Sequence, residues 1–168
     1  FELIPYSIKL ISPWKTAHGV IKTRKGILLS LIIDKKHQAI GECAPLPAIG
    51  TETYQQALDR LTGALPGVVG QTVGQIIYSL QGNSLGSMTP AANFALETAL
   101  LLLIAQHYQC SVATLLNQNA GNYVNINAML GALDRTIIDK AKTAERQGYS
   151  ILKIKVGLQD PDIEIDQL

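Results

Sequence analysis

The sequence predicts an α+β unit over residues 1–120, followed from residue 121 by the opening of a parallel α/β sheet or barrel. Three observations predict this order: β-rich runs separated by turn residues come first, helical periodicity follows, and a strand–helix–strand–helix alternation begins after Gly121. A closed parallel barrel takes about 250 residues. We therefore expect the second unit to be incomplete within these 168 residues.

Three short strands are predicted to form the sheet of the first unit. Pro13 is expected to end the first strand, and the polar turn Asp34-Lys35-Lys36-His37 is expected to pair the other two as a hairpin. Residues 14–25 are predicted to form a polar loop that carries His18, Gly19 and four basic residues. The predicted strands cover residues 6–11, 27–33 and 39–43.

Four helices are predicted after this sheet, each from a cap residue or from apolar spacing. The third has a proline at its first position, where the missing N–H costs no hydrogen bond. Its C-terminal half is apolar nearly all round, which predicts burial on more than one side. The four helices are predicted to begin at Thr51, near Val73, at Thr89-Pro90 and at Ser111, and the last two to end near Tyr108 and Asn117.

The second unit is predicted to alternate strands with helices. Residues 123–130 and 151–156 are the expected strands. Asp134 is expected to cap the helix between them, and Gly148 to close it. Asp160-Pro161 is expected to start a further helix.

Composition excludes several classes of protein. With 47% hydrophobic and 16% charged residues, the chain is predicted to be packed and globular. A net charge of +1 predicts no nucleic-acid partner, although a small acidic substrate is compatible with it. The longest apolar run is too short for a membrane span, and no signal peptide is recognisable, so a cytoplasmic protein is expected. Cys43 and Cys110 are accordingly expected to be buried thiols and not a disulfide.

The segment Leu152-Lys153-Ile154-Lys155-Val156-Gly157 is the most informative in the chain. Alternation along a strand places Lys153 and Lys155 on one face and the apolar residues on the other. Repulsion between two ammonium groups and burial both favour the neutral amine, which is the form that acts as a base. The alternative is an edge strand that carries two solvated lysines, and this segment alone does not decide between them.

Two motifs together resemble a known family. Gly148–Gly157 is similar to the second barrel strand of the muconate-lactonizing subgroup of the enolase superfamily, and Gly41-Glu42-Cys43-Ala44-Pro45 resembles the turn that ends the sheet of its capping domain. The resemblance implies an N-terminal capping domain over residues 1–120 and an incomplete (β/α) barrel over residues 121–168. It also implies that Lys155 is the catalytic base and Lys153 its electrostatic neighbour.

Two further segments resemble the substrate-covering loops of o-succinylbenzoate synthases within that superfamily, namely residues 13–19 and 45–53. The resemblance implies a Mg²⁺-dependent lyase that dehydrates a succinyl-hydroxycyclohexadiene carboxylate in menaquinone or phylloquinone biosynthesis. N-acylamino acid racemases, dipeptide epimerases and muconate cycloisomerases share the scaffold and stay open as alternatives. The candidate substrate-loop residues are Trp14, Thr16, His18, Gly19, Ile49 and Gly50.

No metal ligands are predicted in this chain. The resemblance implies acidic Mg²⁺ ligands on later barrel strands, beyond Leu168, so the 168-residue chain by itself is expected to be inactive. The acidic residues near its end are expected to be solvated on the last helix. A non-catalytic capping-domain fragment is the alternative of another class, and the oligomeric state is not predicted. The acidic residues in question are Asp160, Asp162, Glu164 and Asp166.

Overall fold

The structure is a computed structural model that describes residues 1–16, 19–82 and 85–167. It divides into two compact units, Phe1–Ala120 and Gly121–Leu168. The first contains a three-stranded antiparallel sheet with helices, and the second contains a parallel pair of strands with helices. In the described part of the chain, no helix has the length and apolar character needed to cross a membrane.

The sheet of the first unit has the strand order β1-β2-β3. Its strands are β1 (Glu2–Thr16), β2 (Gly19–Ile33) and β3 (His37–Cys43). The predicted hairpin of β2 and β3 is confirmed, and Asp34 and Lys35 adopt left-handed conformations in the turn between them. The sheet ends at Cys43, as the Gly-Glu motif predicted.

The first two strands are much longer than predicted. The expected loop over residues 14–25 is wrong, because residues 14–16 belong to β1 and residues 19–25 belong to β2, and these two strands form an antiparallel ladder. Pro13 does not end β1 either. It lies in an irregular stretch between Lys9 and Trp14, where the register of the ladder shifts. Such a bulge accommodates a proline, since its residues lie outside the regular hydrogen-bond pattern.

The helices of the first unit are α1 (Tyr54–Ala64), α2 (Val73–Gln81), α3 (Pro90–His107) and α4 (Val112–Leu116). Thr51 was predicted to cap α1, but the cap is Thr53, which forms a capping box with Gln56. The Thr51 hydroxyl instead accepts a hydrogen bond from the Leu46 amide. The predicted starts at Pro90 and after Ser111 are confirmed.

The core of the first unit lies between α3 and the sheet. Alternate residues of β2, namely Ile27, Leu29 and Leu31, point into it. None of residues 98–105 is exposed, which confirms the predicted burial of α3 on more than one side. From the helices, the core receives Ala57, Leu61, Ile76, Ala92, Ala95, Leu96, Ala99, Leu100 and Leu103.

The second unit has the predicted strand–helix–strand–helix order. Its elements are β4 (Ala128–Ala132), α5 (Ile137–Arg146), β5 (Leu152–Lys155) and α6 (Pro161–Ile165). Both strands are shorter than predicted, because β4 begins where Ala128 pairs with Leu152 and residues 123–127 precede that pairing. The cap position of α5 is occupied by Thr136 and not by Asp134, which lies two residues earlier. Asp134 accepts a hydrogen bond from the Thr136 amide.

Both cysteines are free thiols, as predicted, but only Cys43 is buried. Burial, with a contribution from the Glu52 carboxylate, raises the pKa of the Cys43 thiol to about 12. Cys110 is partly exposed, so the expectation that both are buried is wrong. The Cys43 side chain therefore serves the core as a small apolar group.

Candidate active site

The lysine pair lies on β5, beside β4. Lys153 pairs with Met129 and Lys155 with Ala132 in a parallel register that shifts between Met129 and Gly131. Because the two lysines are two residues apart on an extended strand, they lie on one side of it. Lys153 is exposed and Lys155 is half-buried. Their roles as neighbour and base stay predictions.

The carboxyl ends of β4 and β5 are tied together by hydrogen bonds. The Leu133 amide donates to the Lys155 carbonyl at 3.0 Å. The Gln159 side-chain amide donates to the Leu133 carbonyl at 2.6 Å. The residues that follow each strand therefore hold one another, at the edge of a parallel sheet where catalytic residues of barrel enzymes lie.

Glu164 organises the segment that follows the lysine strand. Its Oε2 accepts the Gly157 amide at 2.6 Å, and its Oε1 accepts the amides of Leu158 at 3.0 Å and Gln159 at 3.2 Å. These amides, that of Gly157 foremost, hold the pKa of the Glu164 carboxyl below its usual range. The expectation that Glu164 is solvated is wrong, because only 7% of the residue is exposed.

The loop after β4 contains a second organised carboxylate. Asp134 accepts the hydroxyl and the amide of Thr136, and the Lys140 ammonium lies 3.0 Å from its Oδ2. The Thr136 hydroxyl, with Lys140 next in importance, lowers the pKa of Asp134 to about 2. Asp134 is thus an ionised residue that shapes its own loop, with its acceptor oxygens already engaged.

In the first unit, three of the predicted substrate-loop residues lie on the long β1–β2 ladder. Trp14 pairs with Ile21, and Thr16 pairs with Gly19 at the far end. The Trp14 residue is 44% exposed. His18 lies outside the described residues. The expected first loop is therefore a strand pair up to Thr16 and Gly19, which brings Trp14, Thr16 and Gly19 to one end of the hairpin.

The second predicted loop is a compact turn. Pro47–Ile49 forms one turn of 3-10 helix, and Gly50 follows in a left-handed conformation with its amide donating to the Pro47 carbonyl at 3.0 Å. A glycine suits this position, because other residues pay steric strain at positive φ. Ile49 is 66% exposed, so this turn presents an apolar side chain to solvent.

Arg24 and Glu52 fix the two ends of this turn. Arg24 of β2 donates to the Pro45 carbonyl at 3.0 Å and to the Ala44 carbonyl at 2.9 Å. Glu52 accepts the amides of Ala91 and Ala92 at 3.0 Å, at the beginning of α3. Burial raises the pKa of Glu52, but the Thr89 side chain, followed by backbone amides that include those of Ala91 and Ala92, outweighs it and holds the pKa below its usual range.

The Gly-Glu motif has a structural explanation within the first unit. A Cβ at Gly41 would lie 1.8 Å from the Ala95 carbonyl oxygen, so only glycine lets α3 approach β3 this closely. Glu42 accepts a hydrogen bond from the Tyr6 hydroxyl. Burial and this bond raise the pKa of Tyr6 to about 12. Neither motif residue needs a catalytic role.

Metal binding is not supported by the residues at hand. In the portions 1–16, 19–82 and 85–167, no three His, Cys, Asp or Glu side chains come together as a metal site. The ordered carboxylates Glu52, Asp134 and Glu164 each accept hydrogen bonds from nearby residues.

Comparison with known proteins finds both related sequences and similar structures. No protein-family model matches the chain. Over 141 residues, or 84% of its length, it is 31% identical to o-succinylbenzoate synthase from Aliivibrio fischeri (strain MJ11), and the match covers 36% of that protein. The solved o-succinylbenzoate synthase from Thermosynechococcus elongatus BP-1, complexed with Mg in the active site, matches 99% of the chain at 25% identity with a TM-score of 0.69.

The chain is thus similar to proteins of the enolase superfamily over most of its length. The L-Ala-D/L-Glu epimerase from Bacillus subtilis has the same fold over 99% of the chain, with a TM-score of 0.78 at 23% identity. The chain spans 45% of the solved synthase and 48% of the epimerase. It therefore corresponds to less than half of each solved protein.

The antiparallel sheet and the helices described above are the N-terminal capping domain of this superfamily. Sequence reasoning found the lysine pair and the turn at Ile49 and Gly50, but it missed Arg24, Glu52 and Glu164. Each of these three contacts backbone atoms of another segment. Such contacts leave no spacing signal in the sequence, because the backbone partner has no side-chain identity to recognise.

Proposed function

We propose that the chain is part of an o-succinylbenzoate synthase, a lyase that removes water from a succinyl-hydroxycyclohexadiene carboxylate. The observation that carries this choice is its 31% identity to the Aliivibrio fischeri synthase. On the same similarity, we propose that the product is used in menaquinone or phylloquinone biosynthesis. A cytoplasmic location is part of the proposal and is based on the sequence alone.

The parallel pair of β4 and β5 is proposed to be the start of a (β/α) barrel. Both strands are short, and neither has a second neighbour among the described residues. Apolar side chains around them are exposed, including Val124 at 85%, Met129 at 57% and Val156 at 60%. Further strands and helices packed on this unit would bury such side chains, and burial of apolar area is favourable.

In the proposed reaction, Lys155 is the base. Its neutral Nζ takes the proton alpha to the substrate carboxylate and becomes an ammonium, while the electron pair of the broken C–H bond forms an enediolate. Collapse of that pair expels hydroxide from the ring, the Lys155 ammonium passes its proton to that hydroxide, and water leaves as the ring becomes aromatic. The positive charge of Lys153 on the same side of β5 would stabilise the developing negative charge.

Mg²⁺ belongs to this proposal because the Thermosynechococcus synthase was solved with Mg in its active site. The described residues bring no metal-binding cluster together, so the carboxylates that hold the ion would come from other parts of the protein. The chain alone is accordingly proposed to be inactive.

The end of the β1–β2 hairpin and the turn at Ile49 are proposed to cover the small carboxylate substrate and exclude water. Trp14 and Ile49 support this role, because each presents an exposed apolar surface. The turn is held by Arg24 and Glu52, so it would offer Ile49 in a fixed position.

Dipeptide epimerisation is the second candidate reaction. The Bacillus subtilis epimerase shares the fold over nearly the whole chain. N-acylamino acid racemisation and muconate cycloisomerisation are further candidates, because the enzymes that catalyse them share this scaffold. Offering each substrate to one enzyme preparation separates these reactions, since only the synthase releases water and an aromatic product.

The decisive experiment uses the full-length protein that carries these residues. We expect Lys155→Ala to lower kcat for o-succinylbenzoate formation by about 10²–10⁴-fold, the usual contribution of a general base. Lys142→Ala is the matched control, because Lys142 is an exposed lysine on α5 of the same unit. A Lys155→Ala enzyme with nearly full activity would exclude the proposed mechanism.

A non-catalytic module is the alternative of another class. The intact mass of the purified natural protein tests it first, because a mass near 18.1 kDa would leave no room for a complete barrel. A monomer of that mass with a cooperative melt and no activity would favour the module over the synthase.

A further inference from the structure

The segment that leaves the lysine strand is held by one buried carboxylate. The backbone amides of Gly157, Leu158 and Gln159 all donate hydrogen bonds to the carboxylate of Glu164. Glu164 lies on a separate element, the helix α6. Only 7% of Glu164 is exposed, so these contacts replace water around its charge. The chain therefore leaves β5 through a turn whose shape depends on this side chain.

The number of donors requires a carboxylate. Oε2 serves the Gly157 amide, and Oε1 serves the other two. An amide side chain of the same shape has one acceptor oxygen and one NH₂ donor, so it leaves at least one of the three amides facing another donor. The low pKa of Glu164, which the Gly157 amide causes foremost, keeps the carboxylate ionised at neutral pH.

This turn begins two residues after Lys155. Gly157 has a φ of +80°, a left-handed conformation that sharply redirects the chain. On its other side, the Lys155 carbonyl accepts the Leu133 amide, and Leu133 is held in turn by Gln159. The backbone at Lys155 is thus fixed from both directions, and one of them depends on Glu164.

We propose that Glu164 is a positioning residue for the lysine strand, which aims the Lys155 side chain by fixing the turn at Gly157–Gln159. This inference is based on the proposed function, in which Lys155 is the base. A displacement of about 1 Å at a reacting group can cost about 10²-fold in rate. Loss of Glu164 is therefore expected to act on the chemical step more than on substrate binding.

The test uses the full-length protein, with kcat expressed per folded molecule. We expect Glu164→Leu, which removes all acceptors, to lower kcat by about 10–100-fold with KM changed less than about threefold. Glu164→Gln keeps the shape and part of the hydrogen bonding, so its kcat is expected to fall between wild type and the leucine variant. Glu145→Gln removes the same charge from an exposed position on α5 and is expected to leave kcat unchanged.

Hydrogen exchange supplies a readout that does not need the reaction. Amides of Gly157, Leu158 and Gln159 are expected to exchange faster in Glu164→Leu than in Glu145→Gln. If Glu164→Leu fails to fold, the isosteric glutamine variant decides the question by the same kcat measurement.

The outcomes separate this inference from the proposed function. A graded loss of kcat in the Glu164 variants, with Lys155→Ala inactive, supports it. Wild-type kcat in folded Glu164 variants, with Lys155→Ala inactive, overturns the positioning role and leaves the base in place. An active Lys155→Ala enzyme overturns the proposed function, and the positioning role with it.

Discussion

Replacing Gly41 by alanine tests how tightly α3 packs on the sheet. The added Cβ would meet three backbone atoms of Ala95, its oxygen at 1.8 Å, its carbonyl carbon at 2.7 Å and its Cα at 3.1 Å. Backbone atoms cannot rotate away as a side chain can. Since carbon and oxygen need roughly 3.5 Å, α3 and β3 would have to separate by about 1.7 Å.

Such a separation would disturb the core on both sides of the contact. The fully buried residues Ala92, Leu96 and Ala99 lie on the same helix and would lose contact with the sheet. Overpacked sites usually cost about 1–3 kcal/mol, occasionally more. We expect Gly41→Ala to lie at the upper end, a loss of about 3 kcal/mol or more in the free energy of unfolding.

Urea unfolding of Gly41→Ala and of the wild type, followed by circular dichroism, measures this loss as a lower midpoint at unchanged slope. Gly63→Ala is the matched control, because a Cβ there meets nothing within 4 Å and the position is helical. Alanine at Gly63 is expected to raise stability by up to about 1 kcal/mol. A Gly41→Ala protein within about 1 kcal/mol of wild type would refute the close-approach argument.

Two further predictions concern the ordered carboxylates. Glu52→Gln is expected to cost about 1–3 kcal/mol at pH 7, because it weakens the acceptor for the first amides of α3. The pKa of Glu52 is lowered in the folded protein, so its contribution to stability is present above the unfolded pKa of about 4.3 and is lost as the pH falls. Urea midpoints at pH 7 and near pH 3 are expected to show that the variant's loss of stability shrinks at the lower pH. An equal loss at both pH values would contradict this prediction. Thr136→Val is expected to raise the pKa of Asp134 from about 2 by more than Lys140→Met does, because the threonine hydroxyl is the larger cause. Carboxyl titration by NMR measures both variants, and the reverse order would contradict the assignment.

Local signals predicted where helices begin. Thr89-Pro90, Ser111 and Asp160-Pro161 each mark a helix start that the structure confirms. Thr51 failed because a second threonine follows two residues later. Thr53 has a glutamine three positions on, which completes a capping box, and this spacing was present in the sequence.

Strand lengths were predicted poorly, because a strand is defined by its partner. Residues 14–25 contain a tryptophan and several basic residues and look like a solvated loop, yet residues 14–16 and 19–25 are extended in paired strands. Conversely, residues 123–127 look like a strand, but the pairing with β5 begins only at Ala128. Cross-strand contacts of this kind override local preference, and a single sequence does not display them.

The candidate site was predictable only where side chains alternate along a strand. Lys153 and Lys155 were found in this way and lie together on β5. Glu164 was assigned to solvent because it belongs to an acidic run at the beginning of the last predicted helix. Its partners are backbone amides seven to five residues earlier, and those give no pattern that a sequence reader could use.

The turn at Ile49 is held by two side chains that form hydrogen bonds with the backbone. Arg24 donates to two carbonyl oxygens, and Glu52 accepts from two amides. Carbonyls and amides are the same whichever side chain a residue carries, so neither anchor constrains the identity of the residues that it holds. Substitutions at Ala48 and Ile49 could therefore accumulate during evolution, or in a designed library, while the turn kept its place. A lineage could alter the side chains that this surface presents in single steps, without first destabilising the domain that carries them.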